Sequence, residues 1–146
     1  MAPVGEPITF ARLAERRSPE VWDSVRAALT FPTMTVEMGM RGDATLVVTE
    51  ADTARSIGSG DVDVLGTPRL IALCEAATVS ALNGSLDDAT SSVGMRIRVD
   101  HLQPTPVGGR VRAEATLEKI DGRRLTFTVS ASDKGGLVAA GKITRA

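Results

Sequence analysis

The sequence predicts an α+β fold: a curled antiparallel sheet wrapped around one long central helix, with an extra N-terminal helical segment. Three observations carry this. Leu70-Ile-Ala-Leu-Cys-Glu-Ala-Ala-Thr-Val-Ser-Ala-Leu82 is apolar or small at every position but Glu75, and its apolar residues lie all round a helix, the mark of one covered on most sides. After it, the hydrophobic pattern switches to period two. Three of the alternating segments have one apolar and one polar face, so the sheet they form is covered on one side only. The long apolar helix is the cover.

The elements follow in order. Ser18-Pro19-Glu20 supplies an N-cap, a proline at the first helical position and an acid in the first turn. Val21, Trp22, Val25, Ala28 and Leu29 recur at helical spacing until Phe31-Pro32, giving a helix over about 19–30, preceded by a shorter helical piece from about Phe10 to Arg16. Residues 1–35 are thus an N-terminal helical extension and 36–146 the main domain. The extension is expected to cover a sheet edge; a lid or a dimer contact are the alternatives. Ala44-Thr-Leu-Val-Val-Thr49 is β-branched and of strand length. Glu50 to Gly66, rich in Gly, Ser and Asp, is a long loop, and such loops in compact domains often carry function. Thr67-Pro68 opens the central helix as N-cap and first helical residue, and Asn83-Gly84 stops it.

Val93, Met95, Ile97, Val99 and His101 then point to one face of a strand, and Gly94, Arg96, Arg98 and Asp100 to the other. Pro104 to Gly109 is a turn. Val111, Ala113, Ala115 and Leu117 alternate with polar residues, Asp121-Gly122 marks a hairpin, and Leu125, Phe127, Val129 and Ala131 alternate again. Gly135-Gly136 leads into a last strand over Leu137 to Thr144. These four strands read as an antiparallel meander. A sheet of this kind around one helix is the hotdog arrangement.

Composition narrows the function. With 146 residues, the chain fits one domain with a real core. It carries 17 basic and 18 acidic side chains, no tyrosine, one tryptophan and three phenylalanines, which excludes the basic, aromatic surface of a nucleic-acid binder. The longest apolar stretch falls short of the roughly 20 residues that span a bilayer, and the N-terminus has no basic-then-apolar signal pattern. A soluble, cytoplasmic protein without a membrane partner is expected. Cys74, the one cysteine, can form neither an intramolecular disulfide nor a cysteine-rich zinc site, and in an apolar helix it is expected to be inert packing.

Glu75 is the chemical anomaly. Moving an unpaired carboxylate out of water costs several kcal/mol, so it needs a partner, a shifted pKa or a cavity. His101 is the only histidine. It ends the apolar face of the strand expected under the helix, so the fold is expected to bring acid and base into one pocket. Thr67 adds a hydroxyl at a helix N-terminus, where free N–H groups and the dipole can polarise a carbonyl oxygen. An acid, a base and a hydroxyl in a site that excludes water suit hydrolysis.

At these residues the chain resembles a known family. Gly66-Thr67, then Cys74-Glu-Ala76, then Ser92-Val-Gly-Met-Arg-Ile-Arg-Val-Asp-His101, then Pro104-Thr-Pro-Val-Gly108, and finally Asp121-Gly-Arg-Arg-Leu-Thr-Phe-Thr-Val-Ser-Ala131 are similar in type and spacing to the fluoroacetyl-coenzyme A thioesterase branch of the hotdog thioesterases. The resemblance runs from Gly42 to Ile143. It implies a homodimer, with tetramers as a further option, that hydrolyses an acyl-CoA thioester to free acid and CoA at the dimer interface. Thr67, Glu75 and His101 fall at the catalytic positions, and Gly94, with Gly66 and Pro68 at the helix entrance, falls at substrate-binding ones. Glu75 would attack the thioester carbonyl or activate a water, His101 would act as general acid and base, and Thr67 would orient Glu75 or bind the thioester oxygen. No metal or organic cofactor is implied, coenzyme A entering only as part of the substrate. The family's lid phenylalanines match positions near Gly58 and Asp61, where this chain has no aromatic; a more open site for another acyl group is expected, with Trp22 or Phe31 as possible wall residues. Two other readings remain: a non-catalytic acyl-CoA or fatty-acyl binding hotdog protein, and a hotdog hydratase or dehydratase, which would need an Asp and a His a few residues apart at the helix start. The exposed arginines of the polar strand faces read as solvated surface.

Overall fold

A computed structural model describes residues 36–146, Asp88 excepted; the expected N-terminal extension, with Trp22 and Phe31, lies outside the described residues. The elements are β1 (Arg41–Val47), a 3-10 turn (Glu50–Asp52), the short helix α1 (Ala54–Ile57), the long helix α2 (Thr67–Ala81), β2 (Gly94–His101), β3 (Arg110–Asp121), β4 (Arg124–Asp133) and β5 (Gly136–Arg145). They form one five-stranded sheet in the order β1-β3-β4-β5-β2, antiparallel throughout. Among the described residues no helix is long and apolar enough to cross a membrane.

The four-strand meander expected after the helix is correct only for β3, β4 and β5. β2 does not pair with β3. It lies at the far edge beside β5, while β1 takes the other flank of β3. Pro104 to Gly109 is therefore a crossover between opposite parts of the sheet, pinned by Leu65 N–H to Thr105 O (2.8 Å) and Gly108 N–H to Val48 O (2.7 Å). The expected loop from Glu50 to Gly66 also contains ordered structure, because Thr53 caps α1 through its hydroxyl and Gly58 closes it in the left-handed region, at φ 76°.

The core lies between α2 and the concave face of the sheet. Leu70, Leu73, Cys74, Ala77 and Ala81 pack against Val111, Ala113, Ala115, Leu117, Phe127, Val129 and Ile143, all buried. The alternation in β3 and β4 predicted these inward residues, and each is found inward. Close packing at the β1 flank depends on Gly42, where an added Cβ would strike the backbone of Ala77 and Ala81. Backbone cannot yield as a side chain can, so Gly42→Ala is expected to destabilise by about 1–3 kcal/mol in urea unfolding; an unchanged midpoint would refute the close approach.

α2 is less enclosed than its composition suggests. Ala72, Ala76 and Val79 form an exposed stripe, Val79 being 53% accessible. Just before and on the adjoining strand β2, Val93 and Ile97 are 45% and 39% accessible. Among the described residues nothing covers these apolar side chains.

Candidate functional site

The start of α2 is built from the preceding loop. Gly66 is the N-cap residue, so Thr67 and Pro68 are the first two helical positions and the helix begins one residue earlier than the sequence suggested. The Gly66 N–H is spent on Asp52 O (2.9 Å), and a Cβ there would meet Ile57. Pro68 has no N–H. Among the described residues nothing accepts the Thr67 N–H, which stands free at the positive end of the helix. Because Thr67 is not the cap, its hydroxyl is not used for capping; it bonds His101 Nδ1 at 2.8 Å. Among the described residues the buried His101 Nε2 has no hydrogen-bond partner.

Asp52 secures this end. Its carboxylate accepts from Thr49 N–H (2.8 Å) and hydroxyl (2.9 Å) and from Arg69 Nε (3.2 Å). The Thr49 backbone N–H, above all, with the Thr49 hydroxyl and Arg69, holds the carboxyl below its ordinary value of 3.8. With the folded-state value depressed, the stabilisation is full above pH 3.8 and lost as pH falls through the folded value. Asp52→Asn is accordingly expected to lower Tm at neutral pH by roughly 3 °C, the gap from wild type closing in acid. A gap that stayed constant with pH would exclude the charge as its source.

Glu75 sits elsewhere. Eight residues of helix separate it from Thr67, about 12 Å at a rise of 1.5 Å per residue, so in one chain it does not share the His101 pocket the sequence suggested. Its neighbours are Gly94 and Arg145. Gly94 opens β2 and is paired with Arg145 of β5, while His101 closes β2 opposite Ala139. β2 thus runs along α2 with His101 against the helix start and Gly94 against Glu75. Strict alternation would turn Gly94 away from the helix. A bulge between Gly94 and Arg96 resets the phase, and a Cβ on Gly94 would lie 2.6 Å from Glu75 Oε2.

Arg145 is the residue that sequence reasoning missed. Its Nη1 lies 3.5 Å from Glu75 Oε2; the two side chains are 8% and 34% exposed. Glu75 is therefore half-buried, with a cation as its partner in place of the imidazole. The signal was the alternation of β5: Ala139, Ile143 and Arg145 share the inward parity, but the last strand was expected to stop at Thr144, one residue short. Cys74 is fully buried, and burial, with the Glu75 charge, pushes its thiol up to about 11; it is packing. Beyond Arg145 the surface opens into two adjoining grooves of about 440 and 290 Å³, which share Leu86, Thr90, Ser91 and Ser92.

Comparison with known proteins gives the family and the fold. The family described as fluoroacetyl-CoA-specific thioesterase (FlK) matches residues 48–146. The fluoroacetyl-CoA thioesterase of Streptantibioticus cattleyicolor is 36% identical over 84 residues, 58% of this chain and 60% of that protein, so the match spans less than two thirds of the relative's length. A crystal structure of an FlK variant in complex with fluoroacetate and CoA superposes with a TM-score of 0.72 at 31% identity, covering 76% of this chain and 94% of that one. A hot-dog-like protein from Thermanaerovibrio acidaminovorans superposes with a TM-score of 0.67 at 25% identity, covering 74% and 80%. With the family pattern matched from Val48 to the last residue, the chain belongs to the fluoroacetyl-CoA-specific thioesterase family and has its hotdog fold.

Proposed function

We propose that the protein hydrolyses an acyl-CoA thioester to a free acid and CoA, in a site assembled from Thr67 and His101 of one protomer and Glu75 of the partner subunit. One observation carries the composite site: the Thr67–His101 pair and Glu75 are about 12 Å apart along α2, whereas proton transfer needs hydrogen-bond reach. Among the described residues β2 is an edge strand with one side unpaired. If two copies join antiparallel along β2 about a two-fold axis, His101 of one copy comes to lie against Gly94, and hence Glu75, of the other. The exposed stripe of Ala72, Ala76 and Val79, with Val93 and Ile97, is then covered by its own copy.

In that site Glu75 supplies the attacking oxygen, by deprotonating a water or as the nucleophile through an anhydride. Negative charge moves onto the carbonyl oxygen, which faces the free Thr67 N–H and hydroxyl. The carbon–sulfur bond then breaks and the departing thiolate takes a proton by way of His101: on the direct route this is the proton the attacking water gave up, and on the anhydride route His101 regains one from a water that then opens the acyl–Glu75 anhydride and releases the acid. No step calls on a metal or an organic cofactor. With no aromatic at Gly58 or Asp61, the acyl group is one larger than fluoroacetyl.

Thiol release measured over short, branched, aromatic and long acyl-CoAs, with fluoroacetyl-CoA beside them, tests this. At least one larger acyl-CoA is expected to be cleaved with a higher kcat/KM than fluoroacetyl-CoA. Tight binding across the set without turnover would replace the hydrolase with an acyl-CoA binding protein.

A further inference from the structure

We infer that Arg145 is a positioning residue for Glu75: a guanidinium clamped by Ser92 and Thr78 that fixes one carboxylate oxygen and leaves the other to react. The inference rests on the reading of Glu75 as the reactive acid. It starts from an oddity of packing. On the inward face of β5 the neighbouring side chains are Ala139 and Ile143, both fully buried, yet the next inward position holds an arginine that is 8% exposed. A buried ion pair is a poor way to stabilise a fold, since an apolar side chain of similar volume often does as well or better.

Every part of the guanidinium is engaged. Nε donates to Ser92 Oγ at 3.0 Å, and Nη2 donates to Ser92 O at 2.9 Å. Nη1 reaches Thr78 Oγ1 at 3.5 Å. The Thr78 hydroxyl gives its own proton to Glu75 O (2.6 Å), which leaves its oxygen to accept from Arg145. The remaining contact of Nη1 is Glu75 Oε2. On the other side of that oxygen lies Gly94, with no room for a Cβ. Oε2 is therefore held between a fixed cation and a strand backbone, and Oε1 is held by neither. Burial pulls the Arg145 pKa down and the Glu75 charge pushes it back. A planar guanidinium anchored at three other acceptors sets direction as well as charge, which a lysine could not reproduce.

Two measurements on Arg145→Met, Arg145→Lys, Glu75→Gln and the Arg145→Met/Glu75→Gln double variant test the inference. In thiol release, Arg145→Met is expected to lower kcat by about tenfold or more with KM within about threefold of wild type, because misplacing a reacting group acts on the transition state. Arg145→Lys is expected to recover part of the loss. In thermal unfolding, Glu75→Gln should lower Tm in the wild-type background, where it strands a buried cation, and not in the Arg145→Met background. Additive Tm shifts, or wild-type kcat in Arg145→Met, would overturn the inference. If wild type cleaves no thioester, non-additive shifts still uphold the pairing while the hydrolase reading falls, and additive shifts end both. Should Arg145→Met not fold, Arg145→Lys serves in thiol release, where a lowered kcat with KM near wild type is again expected and a wild-type kcat would overturn the inference.

Discussion

Glu75→Gln is expected to lower kcat for thioester cleavage by about 10²–10⁴-fold, with KM little changed. Glutamine keeps the shape and one acceptor oxygen, so the Arg145 contact at 3.5 Å can survive in weakened form. What disappears is the basic, nucleophilic oxygen. Because the carboxylate does its work only as charge develops on the carbonyl, the loss belongs in kcat and not in substrate binding. Thiol release by the purified variant, with its fold checked by circular dichroism, gives the answer. Hydrolysis at the wild-type rate would remove Glu75 from the chemistry and leave Thr67 and His101 to activate water alone.

How far the sequence reaches is clear from where its readings hold. α2 was legible because its apolar run leaves no other element possible, and β3 and β4 because each alternates over many residues beside a hairpin signal. Those are local properties. The place of β2 was not legible, since nothing in its own residues decides between β3 and β5 as partner; that choice is made by the crossover through Pro104 to Gly109 and by the sheet closing around α2. The bulge at Gly94 was hidden for a related reason. Strict alternation assigns Gly94 to the outer face, and only pairing with β5 reveals the extra residue that turns it to Glu75.

The site was legible in its members and not in its connections. An acid in an apolar helix, a lone histidine at the end of an apolar strand face and a hydroxyl at a helix entrance each stand out in the sequence. Their assembly depends on two offsets of a single residue. Thr67 sits one position inside the helix, which frees its hydroxyl for His101, and β5 runs one residue further than its pattern suggests, which brings Arg145 inward. Boundary shifts this small are within the ordinary uncertainty of element ends. Here they decide which side chains meet.

Mixed dimers are expected to recover activity that neither parent has. Glu75→Gln and His101→Ala each disable every site in their own homodimer. If each site takes His101 from one chain and Glu75 from the other, a mixed dimer has one site carrying both substitutions and one carrying neither. Random pairing of equal amounts makes half of the dimers mixed, so about a quarter of wild-type activity returns. A site confined to one chain gives a different result, because every chain in the mixture still carries a lesion and activity stays at the sum of the parents. The experiment consists of co-refolding or subunit exchange followed by thiol release, with differently tagged chains to count the mixed species. Recovery near a quarter would establish that the 12 Å between Thr67 and Glu75 along α2 is closed by a second copy; no recovery, with mixed dimers demonstrably present, would require each chain to bring its own Glu75 to His101 by moving α2 against β2, against the packing of Leu70, Leu73, Cys74 and Ala77 in the core.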